Sequence, residues 1–306
     1  MRKYIFLVTL LLLLSGCPSG NDGTSPLDTS YRTGTSALVL SFLTNSPPST
    51  VFDTDEFPIG IEVRNKGAYE VTDGKIHLEG YDKNIISVSG DSFSGDLITL
   101  NTLPGKSIYN PDGSYAVYSL SAKIVGQEVP DSHRPTFKAE ACYTYATVAV
   151  ADLCIDTEIN SPDSIHKTCT TGDITFSGGQ GAPLEITSIR VGPSSKKVSL
   201  TIYFRNSGGG EIYDKRLVGE CSTGRIPTTS KNIVNVDYVK VGSQDITSSC
   251  KPGNIVTIPR GADGVIWCDY EYPAGQTGTY KTPLSIKLSY GYRSYVLRTV
   301  EIFKSP

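Results

Sequence analysis

The chain has 306 residues, a formal net charge of −3 and a pI near 5.7, so it is long enough for two domains that each bury a core. It carries no basic excess for nucleic acid and no acidic tail. With 18 Tyr against 9 Phe and one Trp, and with 30 Gly and 18 Pro spread along it, it has the composition of many turns and half-exposed strand faces rather than of helices.

Arg2 and Lys3 precede an uninterrupted apolar run from Tyr4 to Leu14, followed by Ser15 and Gly16. Basic, apolar, then small is the order of a secretory leader. The run is shorter than the roughly twenty residues that a membrane-crossing helix needs, so it reads as a cleaved signal over 1–16. Leu14-Ser15-Gly16-Cys17 resembles the lipobox of prolipoproteins. That resemblance implies diacylglyceryl transfer to Cys17, cleavage before it, and a membrane partner outside the cytoplasm held by two acyl chains, where one alone binds marginally. Of the seven cysteines, Cys17 is the odd one; the other six, Cys142, Cys154, Cys169, Cys221, Cys250 and Cys268, form an even set suited to disulfides in an oxidising compartment.

Residues 17–36 lack periodicity and read as a flexible tether spanning on the order of 25 Å. Beyond it the apolar residues alternate with period two, as strands with one buried face require. Phe57, Ile59, Ile61 and Val63 do so, as do Ala116, Tyr118, Leu120, Ala122 and Ile124. Val198, Leu200, Ile202 and Phe204 follow, then Leu284, Ile286, Leu288, Tyr290 and Tyr292. No long amphipathic helix is apparent, and the expected class is all-β, built of antiparallel sandwiches.

Arg64-Asn65-Lys66-Gly67-Ala68-Tyr69-Glu70-Val71 recurs 141 residues later as Arg205-Asn206-Ser207-Gly208-Gly209-Gly210-Glu211-Ile212, with Asp73 and Asp214 in register. The repeat predicts two similar sandwiches, 37–156 and 166–306, joined by a linker over 157–165. The strand followed by Asn-x-Gly resembles CARDB-type and related immunoglobulin-like domains of archaeal and bacterial surface proteins. Ser177–Pro183 and Ser289-Tyr290-Gly291-Tyr292 are similar to segments of uncharacterised archaeal surface proteins. The resemblance implies an immunoglobulin-like fold and no particular activity. The repeated segment itself reads as a structural turn, since Asn and Gly are turn formers for conformational reasons.

Among the six paired cysteines, Cys142 with Cys154 is the expected closure of the first domain, and Cys250 with Cys268 is favoured around a hairpin at Arg260–Asp263. That leaves Cys169 with Cys221, while Cys169–Cys250 with Cys221–Cys268 stays open.

Enzyme chemistry finds little footing. Gly90-Asp91-Ser92 and Asp163-Ser164-Ile165-His166 match the letters of SGNH-type esterases, but the strands between them are not the α/β layers that family uses. His77, His133 and His166 have no metal-ligand spacing, and no cofactor is expected. The tyrosines crowding the C-terminus, Tyr270, Tyr272, Tyr290, Tyr292 and Tyr295, form the one candidate binding surface, for a glycan or other envelope polymer. The leading expectation is a non-enzymatic, lipid-anchored surface protein that is structural, adhesive or partner-presenting. Glycan binding is the alternative, and the esterase a weak third.

Overall fold

The computed structural model describes residues 30–126, 132–161, 167–223 and 226–305, whose regular structure is almost all β-strand, with only short 3-10 turns of helix beside it. The first half contributes β1 (Leu38–Phe42), β2 (Thr50–Phe52), β3 (Glu56–Asn65), β4 (Lys75–Glu79), β5 (Ile86–Ser89), β6 (Phe93–Ser94), β7 (Leu97–Thr99), β8 (Tyr115–Ile124), β9 (Ser132–His133) and β10 (Thr136–Asp156). The second contributes β11 (Ile174–Thr175), β12 (Leu184–Pro193), β13 (Lys197–Asn206), β14 (Glu211–Tyr213), β15 (Ile233–Val241), β16 (Gln244–Asp245), β17 (Ile255–Thr257), β18 (Gly264–Glu271), β19 (Thr279–Thr299) and β20 (Glu301–Phe303). All ladders are antiparallel except β2 with β20.

A nine-stranded sheet runs through both halves. Its spine is the pair β10 and β19, each 21 residues long and matched without a break from Thr136↔Thr299 to Asp156↔Thr279. At the usual rise per residue that ladder is about 70 Å long. β10 contains no Gly or Pro to interrupt it. Its odd-numbered residues face one side: Phe137, Ala139, Ala141, Tyr143 and Tyr145 under the first half, then Thr147, Ala149, Leu153 and Ile155 under the second. Two four-stranded sheets, β1-β3-β8-β5 and β11-β12-β13-β18, cover those two stretches. The alternating residues expected to face inward do so, with Phe57, Ile59, Ile61 and Val63 in one core layer and Val198, Leu200, Ile202 and Phe204 in the other.

The halves are tied more closely than two domains on a linker. Thr157, the first residue of the expected linker, is bound to the second half, its N–H donating to Gly278 O at 3.2 Å; residues 162–165 of that linker lie outside the described residues. β20, within the segment expected to belong wholly to the second sandwich, instead pairs with β2 and β9 of the first. The end of the expected tether is also docked: Gly181 N–H donates to Gly34 O at 2.8 Å, and Lys106 Nζ to Thr33 O at 2.8 Å.

Three disulfides are formed, Cys142–Cys221, Cys154–Cys169 and Cys250–Cys268. The expected Cys142–Cys154 bond is not among them. Both cysteines lie on β10, where twelve residues of extended chain hold them about 40 Å apart, so each takes a partner from another segment and Cys169 does not reach Cys221. Cys250–Cys268 forms as favoured, although the hairpin expected there does not. β17 joins β15 in the shared sheet and β18 joins β13 in the four-stranded one.

Candidate functional site

Four of the tyrosines in β10 and β19 pack as a closed group at the junction of the two halves. Ring centroids lie 5.9 Å apart for Tyr143–Tyr145, 6.5 Å for Tyr145–Tyr290, 6.3 Å for Tyr290–Tyr292 and 5.9 Å for Tyr292–Tyr143. Buried hydroxyls need partners, and the two halves satisfy theirs alike. Leu38 N–H donates to Tyr143 Oη at 3.1 Å, and Leu184 N–H to Tyr290 Oη at 3.2 Å. Tyr69 N–H donates to Tyr145 Oη at 3.1 Å, and Gly210 N–H to Tyr292 Oη at 2.6 Å. Burial pushes the hydroxyls of Tyr143 and Tyr290 far above the ordinary tyrosine pKa.

The repeated Asn-x-Gly loop sits over these hydroxyls. Asn65 Nδ2 donates to Tyr69 O at 2.7 Å while Gly67 N–H returns to Asn65 Oδ1 at 3.1 Å. Asn206 Nδ2 donates to Gly210 O at 2.7 Å, and Gly208 N–H to Asn206 Oδ1 at 3.3 Å. A Cβ on Gly67 would collide with Tyr145 Oη, and one on Gly208 would lie 2.6 Å from Tyr292 Oη. The repeat is a turn built to pass close above a tyrosine.

The exposed tyrosine platform expected at the C-terminus is therefore absent. Tyr290 and Tyr292 are core residues, as is Tyr270; Tyr272 is half-buried and donates its hydroxyl to Ser194 O at 2.9 Å. Inward-facing positions of β18 and β19 take these rings because their faces close the core. Tyr295, of opposite parity to Tyr290 and Tyr292, alone lies on the outer face and is 62% exposed.

Tyr295 borders a cleft of about 770 Å³ on that outer face, lined by Lys138, Glu140, Gly208–Gly210, Glu211, Arg293 and Ser294. Its charges lie on β10, β14 and β19, with Glu211 directly opposite Arg293, the arrangement in which opposite charges attract in a sheet. Glu140 is buried and paired with Lys138 Nζ at 2.6 Å and Arg293 Nη1 at 3.7 Å, as a buried carboxylate must be. Arg293 Nε donates to Glu211 at 2.5 Å, and Lys231 pairs with Glu211 at 2.6 Å. Burial alone would raise the Glu211 pKa, but the hydrogen bonds from Lys231 and Arg293 prevail and hold it below the ordinary value. The Tyr295 ring lies 5.1 Å from Lys138 Nζ, within cation–π range. Glu140 approaches the sulfurs of Cys142 and Cys221, but these are bonded to each other and offer no thiolate to a metal. Lys138 and Glu140, alternating on β10 with apolar residues between them, are the sequence signal that could have found this face.

A second cleft, of about 490 Å³, is lined by Thr33, Gly34, Ser36, Arg64, Lys66, Lys106, Pro111 and Asp112. Ser92 of the esterase-like letters is exposed on the turn between β5 and β6, and His166 lies outside the described residues. Cys17 and the expected leader also lie outside them. Among the described residues no helix is long and apolar enough to cross a membrane, and the three disulfides point to an extracytoplasmic or secreted protein.

No protein-family model matches the chain, and no curated protein matches it. Among solved structures, the secreted serine protease VesC from Vibrio cholerae is 9% identical over 85% of this chain and 50% of its own, with a TM-score of 0.20. This chain thus spans about half the length of that protein, and a TM-score of that size carries no inference about fold or activity.

Proposed function

We propose that the protein is a non-catalytic, lipid-anchored surface body, held to a membrane through Cys17 and acting as a structural, adhesive or partner-presenting element. The observation that carries this reading is the unbroken β10–β19 ladder, which makes one stiff unit of both halves and so suits holding a surface at fixed distance and orientation. The shared Asn and Tyr hydrogen bonds support treating the halves as two copies of one immunoglobulin-like, CARDB-like unit. Three disulfides suit exposure outside the cell. The test is fractionation of cells expressing the parent or Cys17→Ser. The parent is expected in the membrane fraction and the variant in soluble extracytoplasmic material with its six other cysteines still paired. Equal membrane retention of both would overturn the anchor, and steady ester turnover by the purified chain, lost in Ser92→Ala, would overturn the non-catalytic reading.

A second reading rests on the exposed Tyr295 at the charged cleft. There the protein would bind a glycan or other envelope polymer, with the ring as stacking surface and Lys138, Glu211 and Arg293 as polar contacts. Binding on a glycan array that disappears in Tyr295→Ala would support it; signal equal to a bare control would remove it.

A further inference from the structure

The turn between β7 and β8 carries an unusual tip. Tyr109 is 96% exposed and its neighbour Ile108 is 55% exposed, although Ser107 and Asn110 pin the base of the tip through a pair of backbone bonds at 3.0 and 3.2 Å. An ordered turn that holds an aliphatic and an aromatic side chain out in water forgoes burial of both. The outer face of the first four-stranded sheet also carries exposed apolar side chains, Tyr115, Val117 and Val39. In register, Val39, Arg64 and Tyr115 form one row, and the Arg64 guanidinium lies 4.5 Å from the Tyr115 ring centre.

The surroundings of this tip are cationic. Lys106 immediately precedes it, and Arg64, Lys66 and Lys106 line the adjoining cleft with Asp112. Glu62 pairs with Arg64 at 3.3 Å, so the local balance of these five charges is one positive. Thr33, Gly34 and Ser36 form the other wall of that cleft, so the chain enters the body directly beside the tip, with Arg32 one residue further out.

We infer that Ile108 and Tyr109, with Lys66, Lys106 and Arg64 around them, form a second membrane contact that inserts into the headgroup region of an anionic phospholipid surface. This rests on the reading that Cys17 carries the lipid. The chain between Cys17 and Ser30 spans at most about 45 Å even when fully extended, so an anchor at Cys17 keeps this face near the bilayer. An aromatic and an aliphatic tip flanked by Lys and Arg is the side-chain set that favours the boundary between headgroups and acyl chains. Juxtamembrane basic residues strengthen binding to an anionic leaflet. The contact would fix the tilt of the rigid body relative to the membrane, which an anchor by itself leaves free.

The experiment uses the full chain, isolated from membranes and reconstituted in phosphatidylcholine–phosphatidylglycerol vesicles with or without brominated acyl chains. Tyr109→Trp places a reporter at the tip, and the parent's lone Trp267 supplies the background. The added emission is expected to shift to shorter wavelength and to fall by about half on bromination, as for a ring some 5–10 Å into the interface. Adding Lys66→Glu and Lys106→Glu is expected to remove that quenching with only a small fall in the thermal melt relative to Tyr109→Trp, the latter because Lys106 also donates to Thr33 O. Added emission that is unquenched in vesicle-bound protein would overturn the contact. Sedimentation of Cys17→Ser with the same vesicles reads the anchor separately, since loss of the anchor alone leaves the tip's quenching measurable in whatever protein remains bound.

Discussion

Thr144 and Gly291 stand opposite each other in the β10–β19 ladder, at the point about which the two halves repeat, and each serves its outer face differently. The Thr144 backbone N–H and hydroxyl donate to Asp73 at 3.0 and 2.6 Å, while Gly291 leaves room for the ring of Tyr213, which a Cβ there would meet at 2.6 Å. Gly291→Ala is therefore expected to destabilise the protein by about 1–3 kcal/mol, as overpacking does. Gly209→Ala, with a φ of +76° and nothing within 4 Å of its Cβ, is expected to cost only about 1 kcal/mol of left-handed strain. Denaturant melts of the two variants check the order.

The repeated asparagines are equivalent in position and unequal in burial. Asn65 is fully buried and holds Tyr69 O, Leu103 O and Gly67 N–H, with Tyr145 Oη donating to it at 3.3 Å. Asn206 is half-exposed, bonded to Gly210 O and Gly208 N–H. Because each buried group left without a partner costs about 1–3 kcal/mol, Asn65→Ala is expected to lose several kcal/mol and Asn206→Ala about one. Comparable losses in the two melts would contradict this.

Disulfide removal is expected to rank by loop length. On the chain-entropy view, breaking Cys142–Cys221, with a sequence separation of 79, costs about 4.5 kcal/mol, and breaking Cys154–Cys169, with a separation of 15, about 3 kcal/mol. Paired Cys→Ser variants measure it. Peptide mapping without reduction should return the 142–221 and 154–169 peptides and no 142–154 link.

Stability is expected to fall at both ends of the pH range. Glu211 has a folded pKa below its ordinary 4.5 through Lys231 and Arg293, and Asp269 one below 3.8 through Lys197 and Ser199. Folded carboxylates thus hold fewer protons than unfolded ones in that window. Their contribution is complete above those ordinary values and is lost as pH falls through the lower folded ones. For Tyr143 and Tyr290 the folded pKa is raised above 10 by burial, so their contribution is complete below pH 10 and declines above it. In an alkaline titration the absorbance of these tyrosinates should appear together with unfolding, and Glu211→Gln should flatten the acid limb.

Much of this fold is legible in the alternating residues, because a strand with one buried face must place apolar side chains at every second position. Ile59 or Ile202 could hardly point elsewhere. Parity along a strand carries more than was drawn from it: Tyr290 and Tyr292 share the parity of Leu284, Ile286 and Leu288, which assigns them to the core, whereas Tyr295 has the opposite one. The disulfide pairing was hidden for a different reason. Cys142 with Cys154 is the pairing that closeness in sequence suggests, yet the stretch between them contains no Gly or Pro, and a segment without turn residues more readily continues as a strand, which keeps its ends apart. Pairing between distant strands, such as β2 with β20, leaves no local mark in either one.

That last pairing bears on when the molecule can fold. Among the described residues β2 and β9 pair only with Glu301–Phe303, and β10 finds its longest partner in β19. The amino-terminal half is thus incomplete until residues 279–303 have been delivered. Chain topologies dominated by such distant contacts acquire their structure slowly. A chain that emerges amino-terminus first would therefore hold β2, β9 and one edge of β10 unpaired until residues 279–303 follow.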